Sequence, residues 1–261
     1  MIVDGKAIAQ AIVEEVREGL AAFSRPLTLG VLFASPDFAT QKFIAIKEKR
    51  AKELGIEIIK KELALDANTE MALDALEGLA GETDGLLVQL PLISSIDTQT
   101  LLRAIPPQKD VDALGPNALL LSPVVGALEA ILIHHGVDPK GKEVVVVGQG
   151  RLVGAPAALW LKDRGAAVAT LQSGDDVGEK TKTADIIVLG VGKPGLLKED
   201  MIKEGAIILD AGTSESSGKL AGDADPACAD KASLFTPVPG GVGPISVAMI
   251  FKNLLTLARR G

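Results

Sequence analysis

The sequence predicts an α/β fold in two domains around a cleft, and three observations predict it. Helical and strand-like patterns alternate along the whole length, which is the signature of a largely parallel sheet. The strands are short apolar runs, such as the four valines after Glu143, that read as buried on both faces. A Pro-rich stretch, Ile105-Pro-Pro-Gln-Lys-Asp-Val-Asp, closes one αβ run before a second begins. With 261 residues, 47% of them hydrophobic, the chain has enough apolar material for a sizeable core, and disorder is excluded.

The first domain is expected over residues 1–118. Ile8, Ile12, Val13, Val16 and Leu20 recur at helical spacing, so a helix runs from about Lys6 to Ala22. Leu27–Phe33 reads as a strand. A second helix carries Phe43, Ile44, Ile46, Ala51 and Leu54 and ends at Gly55. Ile56–Ile59 is strand-like, Thr69–Leu79 helical, and Asp84-Gly-Leu-Leu-Val-Gln-Leu a third strand. The second domain is expected over residues 119–245 and reads as Rossmann-like. Ser122 and Pro123 start a helix through His135, as Ser at the N-cap and Pro at the first helical position should. Strands follow at Glu143–Val147, Ala167–Leu171, Ile186–Leu189 and Ile207–Leu209, with a helix over Ala155–Arg164. Ile245–Arg259 reads as a last amphipathic helix, and residues 246–261 are expected to return to the first domain.

Composition excludes several kinds of chemistry. The chain has no tyrosine, so a Tyr-x-x-x-Lys short-chain dehydrogenase is excluded. One cysteine (Cys228) and two histidines (His134, His135) cannot build a Cys/His zinc cluster, and no metal is expected. The net charge of -7 argues against nucleic acid as a partner. No run reaches the roughly 18 apolar residues of a membrane span, and no signal peptide is visible, so a cytoplasmic protein is expected.

Two constellations carry chemistry. Gly148-Gln149-Gly150-Arg151-Leu-Val-Gly154 lies between an apolar strand and a helix, where backbone N–H groups meet a pyrophosphate. Its spacing is one residue longer than the usual dinucleotide fingerprint, so a plain tight turn stays open. Arg151 and Ser173 are candidate partners of a 2′-phosphate, while Asp175 or Asp176 would instead suit a ribose hydroxyl. The second constellation is the helix bearing Phe43 and Lys47, four apart and on one face. Lys47 has apolar neighbours in Phe43, Ile44 and Ala51, and a desolvated lysine exchanges protons nearer neutrality. Gln89, inside an apolar strand, and Asp110 and Asp112, in a possible solvated turn, are polar groups whose roles the residues alone leave open.

Three segments in order, Asp84-Gly-Leu-Leu-Val-Gln-Leu-Pro-Leu, Lys109-Asp-Val-Asp and Thr236-Pro-Val-Pro-Gly-Gly-Val-Gly-Pro, together with the glycine loop, resemble the bifunctional methylenetetrahydrofolate dehydrogenase/cyclohydrolase (FolD) family over essentially the whole chain. The resemblance implies oxidation of 5,10-methylenetetrahydrofolate by a nicotinamide cofactor and hydrolysis of the methenyl product to 10-formyltetrahydrofolate. It makes Lys47 the proton-moving lysine, Gln89 its partner and Asp112 the anchor of the pterin. Phe43, Pro239, Gly240 and Gly241 would line the folate, and Gly148, Gln149, Gly150, Arg151, Gly154, Ser173, Gly190, Val191 and Gly192 the dinucleotide. The resemblance also implies a homodimer through the cofactor domains, and Lys42, Lys49 and Arg50 would help Lys47 steer acidic folates.

The chain departs from the family pattern at several places. Phe43 stands where a tyrosine is usual; it keeps the ring and loses the hydroxyl, which leaves the efficiency of the hydrolytic step open. Gln149 replaces an arginine and Gln172-Ser173-Gly174 replaces a His-Ser-basic run, which weakens the contact to a 2′-phosphate; NADP is still expected from the family's habit, with NAD as the alternative. Leu121-Ser-Pro stands for Cys-Thr-Pro, and Ala113 for a glycine. The rival readings are a shikimate-dehydrogenase-like enzyme, a monofunctional NAD-dependent dehydrogenase and a nonenzymatic folate- or nucleotide-binding paralogue.

Overall fold

The computed structural model describes residues 1–34, 38–216 and 219–260, with the side chains of 38–43, 215, 216 and 219 outside that description. The chain divides into two units, Gln10–Pro123 with Val247–Gly261, and Met1–Ala9 with Val124–Ser246. Each is built on its own parallel sheet.

In chain order the first elements are α1 (Gly5–Leu20), β1 (Thr28–Ala34), α2 (Phe38–Leu54), β2 (Glu57–Leu63), α3 (Thr69–Glu82), β3 (Gly85–Val88) and α4 (Thr98–Arg103). Asp4 Oδ1 accepts the N–H groups of Lys6 and Ala7, which caps α1. Asn68 caps α3 by accepting from Met71 N at 3.0 Å, and Ala72, Leu76 and Leu79 then face inward. The sheet order is β2-β1-β3, all parallel, with β1 central and buried from Leu29 to Ala34. Leu32, Leu76, Leu86, Val88, Leu101 and Leu102 form the core on one side of it. Beyond β3, Leu86 N donates to Lys109 O at 2.6 Å and Val111 N to Leu86 O at 3.3 Å. Lys109–Val111 therefore lies along the sheet edge as one more parallel rung, which delivers Asp112 to the end of that rung. The register needs Gly85, because a Cβ there would run into Leu254 and Val111.

The second unit continues with α5 (Pro123–His134), β4 (Glu143–Val147), α6 (Gly154–Asp163), β5 (Ala167–Leu171), α7 (Val177–Thr181), β6 (Ile186–Leu189), β7 (Ile207–Asp210), β8 (Ser214–Ser216), β9 (Lys219–Ala221), α8 (Cys228–Lys231), β10 (Leu234–Phe235) and α9 (Val242–Ala258). Its sheet runs β10-β7-β6-β4-β5, again all parallel, and β8–β9 is a small antiparallel hairpin. Counted within the unit the order is 2-1-3-4-5, the second of the two common doubly wound orders. The strand order reverses between β4 and β6.

Residues 1–9 correct the expected domain division. Val3 N donates to Phe235 O at 2.8 Å and Phe235 N to Met1 O at 2.9 Å, so the start of the chain pairs with β10. The edge groups of β10 need partners, and three residues at the N-terminus supply them. These residues group with the second unit rather than the first. Among the described residues no helix is long and apolar enough to cross a membrane.

Candidate active site

Lys47 sits midway along α2, with Ile44 and Ala51 buried one turn to either side. Its Nζ donates to Gln89 Oε1 at 2.8 Å. Gln89 is placed by the sheet: its backbone N donates to Leu32 O at 2.8 Å, prolonging the β1–β3 ladder by one residue. Its side-chain Nε2 donates to Leu90 O at 2.9 Å, which assigns the amide orientation and leaves the oxygen for the lysine. Gln89 is thus a polar residue in an apolar run because it has two defined partners.

Asp112 completes the cluster. Burial pushes the Lys47 pKa down, and the charge of Asp112 pushes it back up. Burial likewise pushes the Asp112 carboxyl up, with Lys47 opposing and Asp110 adding to the rise. Desolvation is the larger cause at both ends, so neutral and charged forms lie closer in free energy than they would in water. Such a pair is suited to accepting and returning protons.

The two aspartates, open alternatives in the sequence, separate by role. Asp110 is 2% exposed, and its carboxylate accepts from Leu114 N at 3.2 Å and Gly115 N at 2.7 Å. It ties the loop and leaves Asp112 as the group within electrostatic reach of Lys47. Sequence reasoning missed Asn253, a buried amide on α9 whose Nδ2 donates to Val111 O at 2.9 Å and Leu121 O at 3.0 Å. It fixes the residue just before Asp112. The readable signal is one amide between Ile250 and Leu254 on an otherwise apolar helix face. Phe43 lies one turn before Lys47 on α2, and its side chain is outside the described residues.

The second constellation lies wholly in the second unit. Gly148 leaves β4 at φ +94° and its N donates to Leu171 O at 2.9 Å. Gly154 opens α6, where a Cβ would overlap Gly148 O; a Cβ on Gly190, just after β6, would overlap Val153. The loops after β4 and β6 are therefore pressed together outside the C-terminal strand ends, at the point where strand order reverses, the place where such sheets bind dinucleotides. Gly150 and Arg151 are exposed, and α6 begins without a side-chain cap, so these residues fit a pyrophosphate at bare backbone. Gln149 Nε2 turns back onto Gly148 O at 2.6 Å.

Ser173 is exposed beyond β5. Asp175 accepts from Gln172 N at 2.6 Å, and Asp176 caps α7 by accepting from Glu179 N at 3.0 Å, so both acids have structural tasks at the strand tip. Val191 and Gly192 sit at the switch point, but their N–H groups point to Asp223 rather than outward. Pro239, Gly240 and Gly241 form a tight loop in the same unit, closed by Gly241 N donating to Pro237 O at 2.7 Å, with Gly240 at φ +108°. Among the described residues no group of three or more His, Cys, Asp or Glu is arranged to hold a metal ion.

Two family models cover the chain. Residues 3–112 match the tetrahydrofolate dehydrogenase/cyclohydrolase catalytic domain, and residues 123–261 the NAD(P)-binding domain of the same enzymes. A relative named bifunctional protein FolD from Halothermothrix orenii is 39% identical, covering 97% of this chain and 95% of its own length. The crystal structure of the bifunctional FolD from Campylobacter jejuni superposes with a TM-score of 0.95 at 32% identity, covering 100% of this chain and 99% of that one. The Trypanosoma brucei enzyme, solved with NADP and an inhibitor, gives 0.94 at 31% identity, covering 100% and 97%. The chain belongs to the tetrahydrofolate dehydrogenase/cyclohydrolase family, the FolD proteins.

Proposed function

We infer that the protein oxidises 5,10-methylenetetrahydrofolate to the methenyl cation and hydrolyses that cation to 10-formyltetrahydrofolate. The hydrogen bond from Lys47 to Gln89, beside Asp112, is the observation that carries this reading. When bound, NAD(P)+ supplies the hydride acceptor for the first half-reaction. For that half the chain's task is to hold two rings in contact, which needs position rather than proton transfer.

In the second half-reaction, water adds to the methenyl carbon and loses a proton. The N5–carbon bond then breaks as N5 takes up a proton and the new hydroxyl on carbon gives up its own to become the carbonyl, leaving the formyl group on N10; the net change is one water consumed and one proton released. Lys47, with its ammonium form destabilised by burial, takes the first proton and returns the second. Gln89 keeps its Nζ at a fixed point, and Asp112 holds the pterin while stabilising the charged lysine.

Pro239, Gly240 and Gly241 bind the folate, as does Phe43. Gly148–Gly154, with Gly190, binds the dinucleotide. NADP is the cofactor, with Arg151 and Ser173 as partners of the 2′-phosphate; comparing Michaelis constants for the two dinucleotides tests this, and a strong preference for NAD overturns it. The same reading places a homodimer in the cytoplasm, acting on folates rather than on nucleic acid or membrane, and light scattering tests the dimer.

The central test is spectrophotometric: methenyltetrahydrofolate must form in the presence of NADP or NAD and must then disappear by hydrolysis. Failure to form it overturns the reading. Phe43 lacks the hydroxyl usual beside the lysine, so Phe43→Tyr should speed hydrolysis by about fivefold, the worth of one hydrogen bond, and leave oxidation unchanged.

A further inference from the structure

The loop after β6 looks like a phosphate loop, Gly190-Val-Gly-Lys-Pro-Gly, but its amides are already taken. Asp223 is fully buried. One of its oxygens, Oδ2, accepts from Val191 N at 2.7 Å and Gly192 N at 3.1 Å, and the other, Oδ1, from Lys193 N at 2.6 Å. Three successive N–H groups converging on one point form a nest of the kind that takes an anion from solution. Here the chain supplies the anion. Asp223 is itself rigidly held: its carbonyl accepts from Leu197 N at 3.0 Å, and Leu197 bridges Ala224. Ala224 N in turn donates to Asp210 Oδ2 at 2.8 Å, and a Cβ on Gly212 would overlap the Asp223 carboxylate. The carboxylate therefore has one place to be.

We propose that Asp223 is a positioning residue for the nicotinamide cofactor: by filling the nest it turns the N–H groups of Val191, Gly192 and Lys193 inward and denies that loop to phosphate. The outward face of the loop then carries the exposed Val191 side chain, a surface suited to the uncharged nicotinamide ring. The pyrophosphate is left to the Gly148–Gly154 loop, where α6 begins with no such internal anion among the described residues. Two glycine-rich loops meet at one switch point, and a single carboxylate tells them apart. This inference rests on the dinucleotide reading of the second unit.

The test uses the full chain and Asp223→Asn, which keeps the shape and removes the charge. The Michaelis constant for the dinucleotide should rise at least tenfold, and the dissociation constant from calorimetry with NADP should rise equally. The Michaelis constant for methylenetetrahydrofolate, and cyclohydrolase activity assayed without dinucleotide, should change less than threefold, since Lys47, Gln89 and Asp112 belong to the other unit. Asp223→Glu, which restores the charge, should recover part of the dinucleotide affinity. An equal fall in both activities would mean a structural role only and would overturn the proposal, as would unchanged NADP affinity.

Amide exchange in the unaltered protein decides the matter even where the variant does not fold. Val191, Gly192 and Lys193 should be protected before NADP is added and no more so afterwards. Rapid exchange that slows only on binding would sink the proposal. Absence of oxidation with either dinucleotide would overturn the functional reading, whereas the exchange pattern would still report whether Asp223 holds the loop.

Discussion

The two constellations are held by opposite means. Lys47, Gln89 and Asp112 are defined by charge in a place where water is largely displaced, and the hydrogen bond to Gln89 orients one of them. The glycine loops of the second unit are defined by missing side chains: Gly148, Gly154 and Gly190 leave no room for a Cβ against neighbouring backbone or Val153. The first region should therefore be sensitive to changes that alter charge and tolerant of small changes in volume. The second should fail on a single methyl group at these glycines, and Asp223, which holds the loop after β6, is the one charge whose loss it should not tolerate.

The largest effect expected is Lys47→Gln, which keeps a polar side chain and removes the titrating group. Hydrolysis should fall by about 10³-fold, within the range for a lost general acid–base residue, and oxidation much less. Equal losses in both half-reactions, measured with separate assays, would break the division of labour. Gly154→Ala is the converse. The added methyl must displace Gly148 O, which should cost about 2 kcal/mol of stability, as overpacking does. Dinucleotide affinity should fall at least tenfold with hydrolysis preserved, and calorimetric titration with NADP alongside the hydrolysis assay checks both.

The contrast also explains what was legible in the sequence. Runs such as Val144–Val147 and Ile186–Leu189 read as buried strands because central parallel strands are apolar on both faces, and both are strands here. Met1–Val3 and β10 were not legible, because three and two residues carry no periodicity and their pairing is set by what lies alongside. In the site, Lys47 was readable as a lysine among apolar residues. Its hydrogen bond to Gln89 joins positions 42 apart, which no local pattern encodes. Asp110 and Asp112 were indistinguishable as letters, since the difference between them is which backbone amides each one meets. The segment Gly190–Gly192 was readable as a glycine loop, whereas the carboxylate that fills it comes from 31 residues beyond Gly192.

A subtler break in the charge-held region is Asp112→Asn. The charge of Asp112 raises the Lys47 pKa against the downward pull of burial, so removing it leaves desolvation unopposed. Folding of the pterin site aside, the limb of the hydrolysis pH profile that reports Lys47 ionisation should move to lower pH. A limb that stays in place, or moves upward, would show that the two groups do not sense each other.

The smallest effect concerns the backbone between the two regions' rules. Ala113, immediately after Asp112, sits at φ +53°, a left-handed conformation that is the only positive φ of a non-glycine residue among those described. A side chain there costs roughly 1–2 kcal/mol, and glycine removes that strain while adding some unfolded-chain entropy. Ala113→Gly should therefore stabilise the protein by about 0.5–1 kcal/mol, read as a higher denaturation midpoint at unchanged slope. Activity should hold, because Asp110 and Asn253 tie the loop on either side of Asp112 through bonds that do not involve the Ala113 side chain. Ala113→Val, with a branched side chain in the same conformation, should move the midpoint the other way. If both substitutions were neutral, the left-handed turn would not be fixed by the loop's own hydrogen bonds, and Asp112 would be free to shift relative to Lys47.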